Sequence, residues 1–272
     1  MSEAANTAPT SAGFRYEKAG AIAWLTFDRP EKMNAISYAM LSRISEAVRE
    51  ARDDDGVRVV ILTGAGRAFS AGTDLAELAA TPGEARGSVA AEPDRTEWPA
   101  PWTFLSLPKP VIAAVNGAAV GLGAELSLQA DIRIAGESAR FSWVFPHRGL
   151  VPDTGAGTWL LPRVIGLQRA AKLLYTGAMI DAAEALRIGR VDDVAPDGEL
   201  KSRAEALAVQ IGRGAPLAIE QIKRLLYQGL ARDPRSHVED NARTLNGLFL
   251  TADHREGVMS FLERREPQFT RR

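Results

Sequence analysis

The order of apolar and polar positions predicts that the chain begins with alternating strands and helices. Residues 21–27 form a short run rich in residues that favour strands, and an Asp-Arg-Pro sequence ends it. From Ser37, which is suited to cap a helix, apolar residues recur at helical spacing as far as the acidic residues 53–55. The almost continuously apolar residues 57–63 predict a second strand. A strand, a helix and a strand within about forty residues are typical of a βαβ unit with parallel strands.

The same pattern continues along the chain and then changes. Residues 111–116 predict a third, buried strand, and residues 132–135 predict a fourth. Between them we expect a glycine-rich turn at residues 117–123 and a short helix. From Gly155 onward the spacing is helical, apart from an extended stretch at residues 190–194. The chain is therefore expected to be β/α in its first two thirds and all-α at its end.

These patterns divide the chain into three predicted parts, and the core part contains one segment of a different composition. Residues 14–200 are expected to form an α/β core, and residues 201–272 a C-terminal helical region. Residues 1–13 lack apolar periodicity and are expected to be a disordered tail. Residues 81–101 are rich in proline and glycine, so we expect a mobile cover over the core rather than a linker between two domains.

Composition narrows the classes of function. The chain has 272 residues, of which 46% are hydrophobic, and this length can bury a large core. Its formal net charge of −1 does not favour a nucleic-acid or anionic-membrane partner. The absence of cysteine excludes disulfides, iron–sulfur clusters and cysteine nucleophiles, and the three histidines are scattered. We therefore expect no metal and no cofactor. The lack of a signal peptide and of an uninterrupted apolar span predicts a cytoplasmic protein.

Two glycine-rich turns are the most informative features for function. The first spans residues 68–75 and the second residues 116–126, and each follows a predicted strand and leads into a helix. Backbone N–H groups at the start of a helix are unpaired and lie at the positive end of the helix dipole. Two such turns side by side can aim two donors at one oxygen, which is the arrangement of an oxyanion hole. The alternative is that the glycines only permit tight turns and close packing.

The motifs in these turns resemble those of a known superfamily. F-S-A-G-T-D-L at residues 69–75, V-N-G-A-A-V-G-L-G-A-E-L at 115–126 and A-D-I-R-I-A at 130–135 resemble the crotonase, or enoyl-CoA hydratase/isomerase, superfamily. The resemblance extends from about Ile22 to Phe269. It implies a ββα spiral core with a C-terminal helical region that assembles into trimers or hexamers. It also implies an acyl-CoA thioester as the ligand and stabilisation of its enolate.

The resemblance also implies which residues bind the ligand. The two oxyanion N–H groups match those of Thr73 and Leu122. The loop residues that match the adenine and pantetheine site of CoA are Ala71, Gly72, Asp74 and Leu75. Other residues that match CoA contacts are Arg29, Lys32 and Ala35, near the diphosphate, and the C-terminal pair Phe261 and Arg264. In some members that C-terminal pair comes from a neighbouring subunit. The alternative role of the three basic residues is solvated surface charge.

The acid/base residues decide which reaction the resemblance implies. Hydratases of the superfamily use two glutamates, and Glu125 matches the first. Phe145 occupies the position of the second, and a phenyl ring can neither transfer a proton nor hold a water. Residues 149–163, with one inserted residue, instead resemble the branch that contains ring-1,2-epoxyphenylacetyl-CoA isomerase. In that branch, the aspartate that matches Asp153 faces the acyl group. Helix capping is the alternative role of both carboxylates.

We therefore predict double-bond isomerisation by a single-carboxylate proton shuttle. Asp153 takes a proton from an unsaturated acyl-CoA and returns it two carbons away, while the oxyanion turns bind the dienolate oxygen. Trp143 and Phe145 are expected to line the acyl pocket and to make the carboxylate more basic by desolvation. Glu125 assists or only shapes the site. We expect His147 to lie at the surface or behind the site rather than to act as the base.

Several alternatives stay open. One is an enoyl-CoA hydratase that uses Glu125 with or without Asp153, and another is a non-catalytic acyl-CoA-binding protein. Phe145 favours the non-catalytic alternative, and Asp153 opposes it. A dehalogenase would need a histidine near residues 85–105, which the sequence lacks, whereas thioesterase and decarboxylase activities stay open. The tryptophans beside the predicted cover, Trp98 and Trp102, either contact a bulky acyl group or anchor the packing.

Overall fold

The computed structural model of the chain describes residues 13–80 and 102–272. The predicted tail and the predicted cover lie outside the described residues, apart from Gly13. Within the described residues the strands are β1 Phe14–Ala19, β2 Ile22–Phe27, β3 Val59–Gly64, β4 Ala68–Ser70, β5 Val111–Val115, β6 Ala118–Val120, β7 Ile132–Gly136, β8 Arg140–Ser142, β9 Ile180–Asp181 and β10 Asp193–Ala195. The helices are α1 Tyr38–Asp53, α2 Leu75–Ala80, α3 Leu122–Leu128, α4 Ala156–Trp159, α5 Leu161–Ile165, α6 Leu167–Thr176, α7 Ala182–Arg187, α8 Leu200–Gly212, α9 Pro216–Gly229, α10 Pro234–Phe249 and α11 Ala252–Glu263.

A six-stranded sheet forms the centre of the fold, in the order β1-β2-β3-β5-β7-β10. Strand β1 is antiparallel to β2, and the other neighbours are parallel. In β3, Val60 and Leu62 pack into one hydrophobic cluster, whereas Val59 and Ile61 pack into a second cluster on the opposite face. Both faces of the sheet are therefore buried, which explains why residues 57–63 are apolar almost without interruption.

A second, four-stranded sheet has the order β4-β6-β8-β9, with β9 antiparallel to β8 and the other neighbours parallel. The chain passes from the first sheet to the second three times, from β3 to β4, from β5 to β6 and from β7 to β8. This repeated passage between two sheets, followed by C-terminal helices, confirms the predicted α/β class with a ββα spiral core.

Helices cover both faces of the six-stranded sheet. Helix α1 begins as predicted, because the Ser37 side chain accepts a hydrogen bond from the Met40 N–H at 3.2 Å. On the opposite face of the sheet, α8 packs into the second cluster, which contains Val59 and Ile61 of β3. The residues of α8 in this cluster are Leu200, Ala204 and Ala208. The predicted boundary between residues 200 and 201 thus falls at the first residue of a core helix, and the helices beyond the core begin with α9.

The last helices are fixed to the core by a buried lysine on α9. The Lys223 ammonium donates to Asp131 Oδ2 at 2.8 Å and to the carbonyl oxygens of Lys109 and Phe104 at 3.0 and 3.4 Å. The partner carboxylate lies just before β7, and both carbonyl groups lie just before β5. This ion pair therefore joins α9 to the segments that lead into two central strands.

Some strands differ from the sequence-based expectation. The sequence pattern does not predict strand β1, which forms a hairpin with β2. It also does not predict β4 and β6, because these strands have only three residues each and lie within the glycine-rich turns. The extended stretch predicted at residues 190–194 lies further along, as β10. Strands of three residues carry too little side-chain pattern to be read from sequence.

Candidate active site

The parallel strands β4 and β6 lie side by side and bring the two glycine-rich turns together. Gly72 follows β4 with a φ of 93°, a conformation that favours glycine. A Cβ atom at this position would lie 2.7 Å from the Val120 carbonyl oxygen and 3.3 Å from the Leu122 nitrogen. The two turns therefore touch through their backbones, and Thr73, the next residue, lies beside the start of α3.

The backbone N–H groups at this contact are of two kinds. Those of Asp74 and Gly121 donate to backbone carbonyl oxygens, each at 2.9 Å. Those of Thr73 and Leu122 have no hydrogen-bond acceptor among the residues that the structure describes. Free N–H groups beside a helix N-terminus can bind an anion or a developing oxyanion. The two donors named from the sequence are therefore both available for this purpose.

A cavity of about 280 Å³ lies beside the second turn. Its lining combines apolar side chains of α1 and α3 with several hydroxyl groups, namely Tyr38, Leu41, Ser42, Ile44, Ser45, Thr103, Leu122, Leu126 and Thr154. Leu122 belongs to both the cavity and the oxyanion turn. Ligand sites are typically concave and largely apolar with a few polar groups, so this cavity is the candidate acyl pocket.

Trp143 and Phe145 are not part of this lining, in contrast to the sequence-based expectation. Trp143 is completely buried, Phe145 is nearly so, and neither contributes to the cavity in the described part of the chain. The Trp143 ring is turned into the core because its Nε1 donates a hydrogen bond to Glu125 Oε1 at 2.8 Å. Trp143 therefore supports Glu125 from behind the cavity, and a place in the acyl pocket stays a prediction for both aromatic side chains.

Glu125 is completely buried, and both of its carboxylate oxygens are held. Besides the Trp143 bond to Oε1, the Thr154 hydroxyl donates to Oε2 at 2.7 Å. A side chain at position 157 would collide with Oε1, so Gly157 leaves the space that this carboxylate needs. Burial raises the pKa of Glu125, while hydrogen bonds from Thr154, the Gly157 backbone and Trp143 and the charge of Arg190 oppose this rise.

Asp153 differs from Glu125 in its surroundings. It is exposed, and it has no ion pair and no hydrogen bond from another side chain within the described residues. The protein around the carboxyl group raises the pKa of Asp153 to about 7 by desolvation, and the charge of Glu125 adds to the rise. A pKa near neutrality suits a group that must both accept and return a proton.

Glu125 does not cap its own helix and Asp153 is not an N-cap, although Glu125 accepts a hydrogen bond from the Gly157 N–H in the first turn of α4. The N-cap of α3 is Gly121 and the N-cap of α4 is Gly155, and no side chain caps through these positions. The Thr154 hydroxyl instead accepts a hydrogen bond from an N–H in the first turn of α4, at 3.2 Å. Thr154, which no sequence motif indicates, thus joins Glu125 to the start of α4.

Four of the residues predicted near CoA lie together. The Arg29 guanidinium donates to the Ala35 carbonyl oxygen at 2.9 Å and to Asp74 Oδ2 at 3.2 Å, and the Lys32 ammonium lies 3.6 Å from the same carboxylate oxygen. The Arg29 side chain is largely buried, whereas that of Lys32 is 55% exposed. Arg29 therefore shapes the loop, and Lys32 can reach a phosphate. Their contact with CoA stays a prediction.

A buried asparagine that the sequence does not single out fixes this loop to the first turn. Asn34 is completely buried, and its Nδ2 donates to the carbonyl oxygens of Ala65 and Ala68 at 2.9 and 2.7 Å. The Ser70 hydroxyl donates to the Asn34 carbonyl oxygen at 2.8 Å. The loop that carries Arg29 is therefore tied to β4, from which the first turn begins.

The other residues predicted to contact CoA lie in two separate places. Ala71, Gly72 and Leu75 belong to the first turn, where Leu75 is exposed. Phe261 and Arg264 lie at the end of α11, where Phe261 is 82% exposed and lines an apolar cleft of about 510 Å³ between α9, α10, α11 and the C-terminal tail. As far as the chain is described, the lining of that cleft contains no residue of either turn.

Trp102 is a packing anchor. Its ring lies 5.0 Å from that of Trp159, and its Nε1 donates to the Thr154 carbonyl oxygen at 2.7 Å. Trp98 lies outside the described residues. His147 is exposed and its ring lies against Gly177, so the structure gives it no contact with either carboxylate.

The ββα spiral and the paired backbone donors are those of the crotonase superfamily. The family model described as Enoyl-CoA hydratase/isomerase matches residues 17–272, and the chain belongs to this family. Among the helices of the described residues, none combines the length and the apolar character needed to cross a membrane.

Relatives of both reaction types are similar to this chain. A "Probable enoyl-CoA hydratase" from Rhodobacter capsulatus is 40% identical over 259 residues, which cover 95% of this chain and 98% of that protein. The 1,2-epoxyphenylacetyl-CoA isomerase from Escherichia coli is 38% identical over 248 residues, which cover 90% and 94%. The crystal structure of an enoyl-CoA hydratase from Bacillus anthracis matches with a TM-score of 0.88 at 34% identity and covers 96% of this chain and 100% of that chain.

Proposed function

We propose that this family member is an enoyl-CoA isomerase in which Asp153 moves a proton along an unsaturated acyl-CoA. The observation that carries the proposal is the contrast between the two carboxylates. Both oxygens of Glu125 are held by donors in the protein interior, whereas Asp153 is exposed and has no side-chain partner among the described residues. A proton shuttle needs a carboxylate that no protein donor occupies, and Asp153 meets this need.

The proposed reaction conserves all atoms of the substrate. The Asp153 carboxylate takes a proton from C2 of a 3-enoyl-CoA, and the thioester becomes a dienolate. Its oxygen accepts hydrogen bonds from the N–H groups of Thr73 and Leu122, each of which lowers the barrier by roughly 2.7–4 kcal/mol. The Asp153 carboxylic acid then returns the proton to C4, which gives a 2-enoyl-CoA. Neither water nor a cofactor takes part.

The direction of the pH dependence follows from the role of Asp153 as the base. Only its ionised form can take the first proton, so kcat/KM is expected to be lost as the pH falls through about 7, the pKa of this group. Because Glu125 and Asp153 interact, the measured midpoint belongs to the pair. The acid limb is expected to disappear with Asp153→Asn.

Hydration is the second candidate reaction. It is supported by Glu125, which matches a hydratase glutamate, and by relatives that are named hydratases. In this reaction Glu125, with or without Asp153, activates a water that adds across the double bond. Phe145 at the other glutamate position and the two hydrogen bonds that hold Glu125 weigh against it.

The experiment follows one reaction in heavy water with a 3-enoyl-CoA, by NMR and mass spectrometry. We expect the double bond to migrate without the mass of an added water. The Asp153→Asn variant should lose about 10²–10⁴-fold in kcat while it keeps its affinity for acyl-CoA, and Glu125→Gln serves as the comparison. Water addition that depends on Glu125 would identify a hydratase. Binding without turnover would identify an acyl-CoA-binding protein.

We also propose that the chain assembles as a trimer or hexamer through its last helices. Large apolar side chains are exposed there, among them Leu250, Phe261 and Leu262. Contiguous exposed apolar surface usually marks an interaction site. Sedimentation equilibrium tests this assembly, and a monomer at micromolar concentration contradicts it.

A further inference from the structure

A buried arginine lies beneath the helix that carries Glu125, and the proposed reaction gives it no role. Arg190 lies between α7 and β10, and its side chain is completely buried. Its Nη2 donates to the Ser127 hydroxyl at 2.6 Å and to the Ala124 carbonyl oxygen at 3.3 Å, both on α3. In the part of the chain that the structure describes, Nε and Nη1 have no hydrogen-bond partner.

The Arg190 guanidinium also contacts the aromatic side chains behind Glu125. Its central carbon lies 4.9 Å from the centre of the Phe141 ring and 5.5 Å from that of the Trp143 ring. The Trp143 ring is the one whose Nε1 holds the Glu125 carboxylate. Arg190 therefore touches both the helix that carries this carboxylate and a side chain that orients it.

The burial of this cation is only partly compensated, because two of its nitrogen atoms have no hydrogen-bond partner among the described residues. A charge in the interior is costly unless it is compensated, and a well-packed apolar side chain in its place is often neutral or stabilising. Burial lowers the pKa of Arg190 and the charge of Arg133 lowers it further, while the charges of Glu125 and Asp192 oppose this. A guanidinium nevertheless stays protonated in proteins, so Arg190 is a buried cation.

Few other charges act on Glu125. The elements packed most closely against α3 are β4, β6 and α4, and none of these three carries a titratable side chain. Among the described residues, the charged groups that remain are Asp153, which interacts with Glu125, and Arg190. Burial therefore favours the protonated form of Glu125, and the charge of Arg190 favours the ionised form.

We propose that Arg190 is a positioning residue that keeps Glu125 as a carboxylate and thereby makes Asp153 a stronger base. A negative charge beside a carboxyl group favours its protonated form, so an ionised Glu125 raises the pKa of Asp153. Arg190 acts through Glu125 and does not touch the substrate. The inference rests on the proposed function, in which Asp153 is the base.

The first test measures the ionisation of Glu125 without substrate. Infrared titration follows the carboxyl and carboxylate bands of the full chain, and the bands that Glu125→Gln removes identify this residue. Arg190→Gln removes the charge but keeps a donor for Ser127, and Arg190→Lys restores a charge. We expect a carboxylate at neutral pH in the natural protein and in Arg190→Lys, and a protonated carboxyl group in Arg190→Gln.

A second buried arginine provides the matched control. Arg133 donates to the carbonyl oxygens of Ala130 and Arg190, and its charge is not among the causes that shift Glu125. Arg133→Met therefore removes a neighbouring buried cation, and we expect Glu125 to stay ionised in this variant. If Glu125 is ionised to the same extent in Arg190→Gln and in the natural protein, the proposal is wrong.

The second test measures the pH dependence of kcat/KM, whose midpoint would not change if Arg190 had only a structural role. In Arg190→Gln, Glu125 is expected to be neutral, so Asp153 loses its negative neighbour and its pKa falls. The acid limb of kcat/KM should then move to lower pH, with a lower plateau because the base is weaker, and Arg190→Lys should restore the midpoint. A lower plateau with an unchanged midpoint would overturn the proposal. If Asp153→Asn keeps full turnover, the proposed function fails, while the infrared result for Glu125 still decides the role of Arg190.

Discussion

The contact between the two turns predicts that replacement of Gly72 by alanine removes catalysis without unfolding the protein. A Cβ at position 72 would lie 2.7 Å from the Val120 carbonyl oxygen and 3.3 Å from the Leu122 nitrogen. The second turn must therefore move away, because the obstacle is backbone rather than a flexible side chain. The Leu122 N–H moves with that turn, and the spacing between the two donors changes.

The size of the effect has two separable parts. Alanine at a φ of 93° carries a backbone strain of about 1–2 kcal/mol. Gly166→Ala, at a φ of 83° and a ψ of 151°, also carries backbone strain, but its Cβ would have nothing within 4 Å. The remainder in Gly72→Ala is the loss of one oxyanion donor. Such a loss costs about 2.7–4 kcal/mol of transition-state stabilisation, or about 10²–10³-fold in kcat.

The assay compares both variants with the natural protein on one 3-enoyl-CoA and records thermal unfolding beside kcat and KM. We expect both variants to stay folded with reduced stability and only Gly72→Ala to lose activity. If Gly72→Ala keeps kcat within a few-fold of Gly166→Ala, the two turns do not form a joint oxyanion hole.

Two further substitutions test the surroundings of the carboxylates and of the CoA loop. Thr154→Val removes the donor to Glu125 Oε2, so the pKa of Glu125 should rise further and unfolding in urea should become easier by about 1–3 kcal/mol. An unchanged infrared titration of Glu125 would contradict this. Lys32→Ala should raise KM for acyl-CoA several-fold and leave kcat unchanged, because this exposed side chain lies on the loop that matches the diphosphate site. An equal KM for both proteins would remove Lys32 from the binding site.

The sequence predicts the elements whose side chains alternate or recur over many residues. Strand β2, helix α1 and strand β3 are long enough to show their period, and Ser37 marks the start of α1 as predicted. Strands β4 and β6 are too short to show one. Apart from the buried Phe69, their side chains are no larger than valine, and Gly72 in the first of the turns that follow allows the two backbones to touch. The composition that builds the site therefore hides the strands.

The parts of the candidate site that a motif places on the backbone are predicted from the sequence. The side-chain contacts between residues far apart in the sequence are not predicted. The sequence indicates Thr73 and Leu122 because glycine-rich turns have a recognisable composition. It does not indicate that Trp143 turns inward to hold Glu125, or that Arg190 lies below them, since these contacts depend on the packing of separate strands and helices. The periodicity of apolar residues along the chain does not indicate which residues of separate elements contact each other.

The candidate oxyanion donors and the candidate acyl pocket depend on different kinds of chemistry in this fold. The donors are main-chain groups, fixed by turns that tolerate little besides glycine at their contact. The pocket is bounded in part by α1, where Ser42 and Ser45 are exposed and lie on a different element from those turns. Selection can therefore alter the choice of acyl group at these positions while the machinery for enolate formation is inherited unchanged. A library confined to these two positions would explore new substrates without changing the buried core residues of α1, such as Ile44.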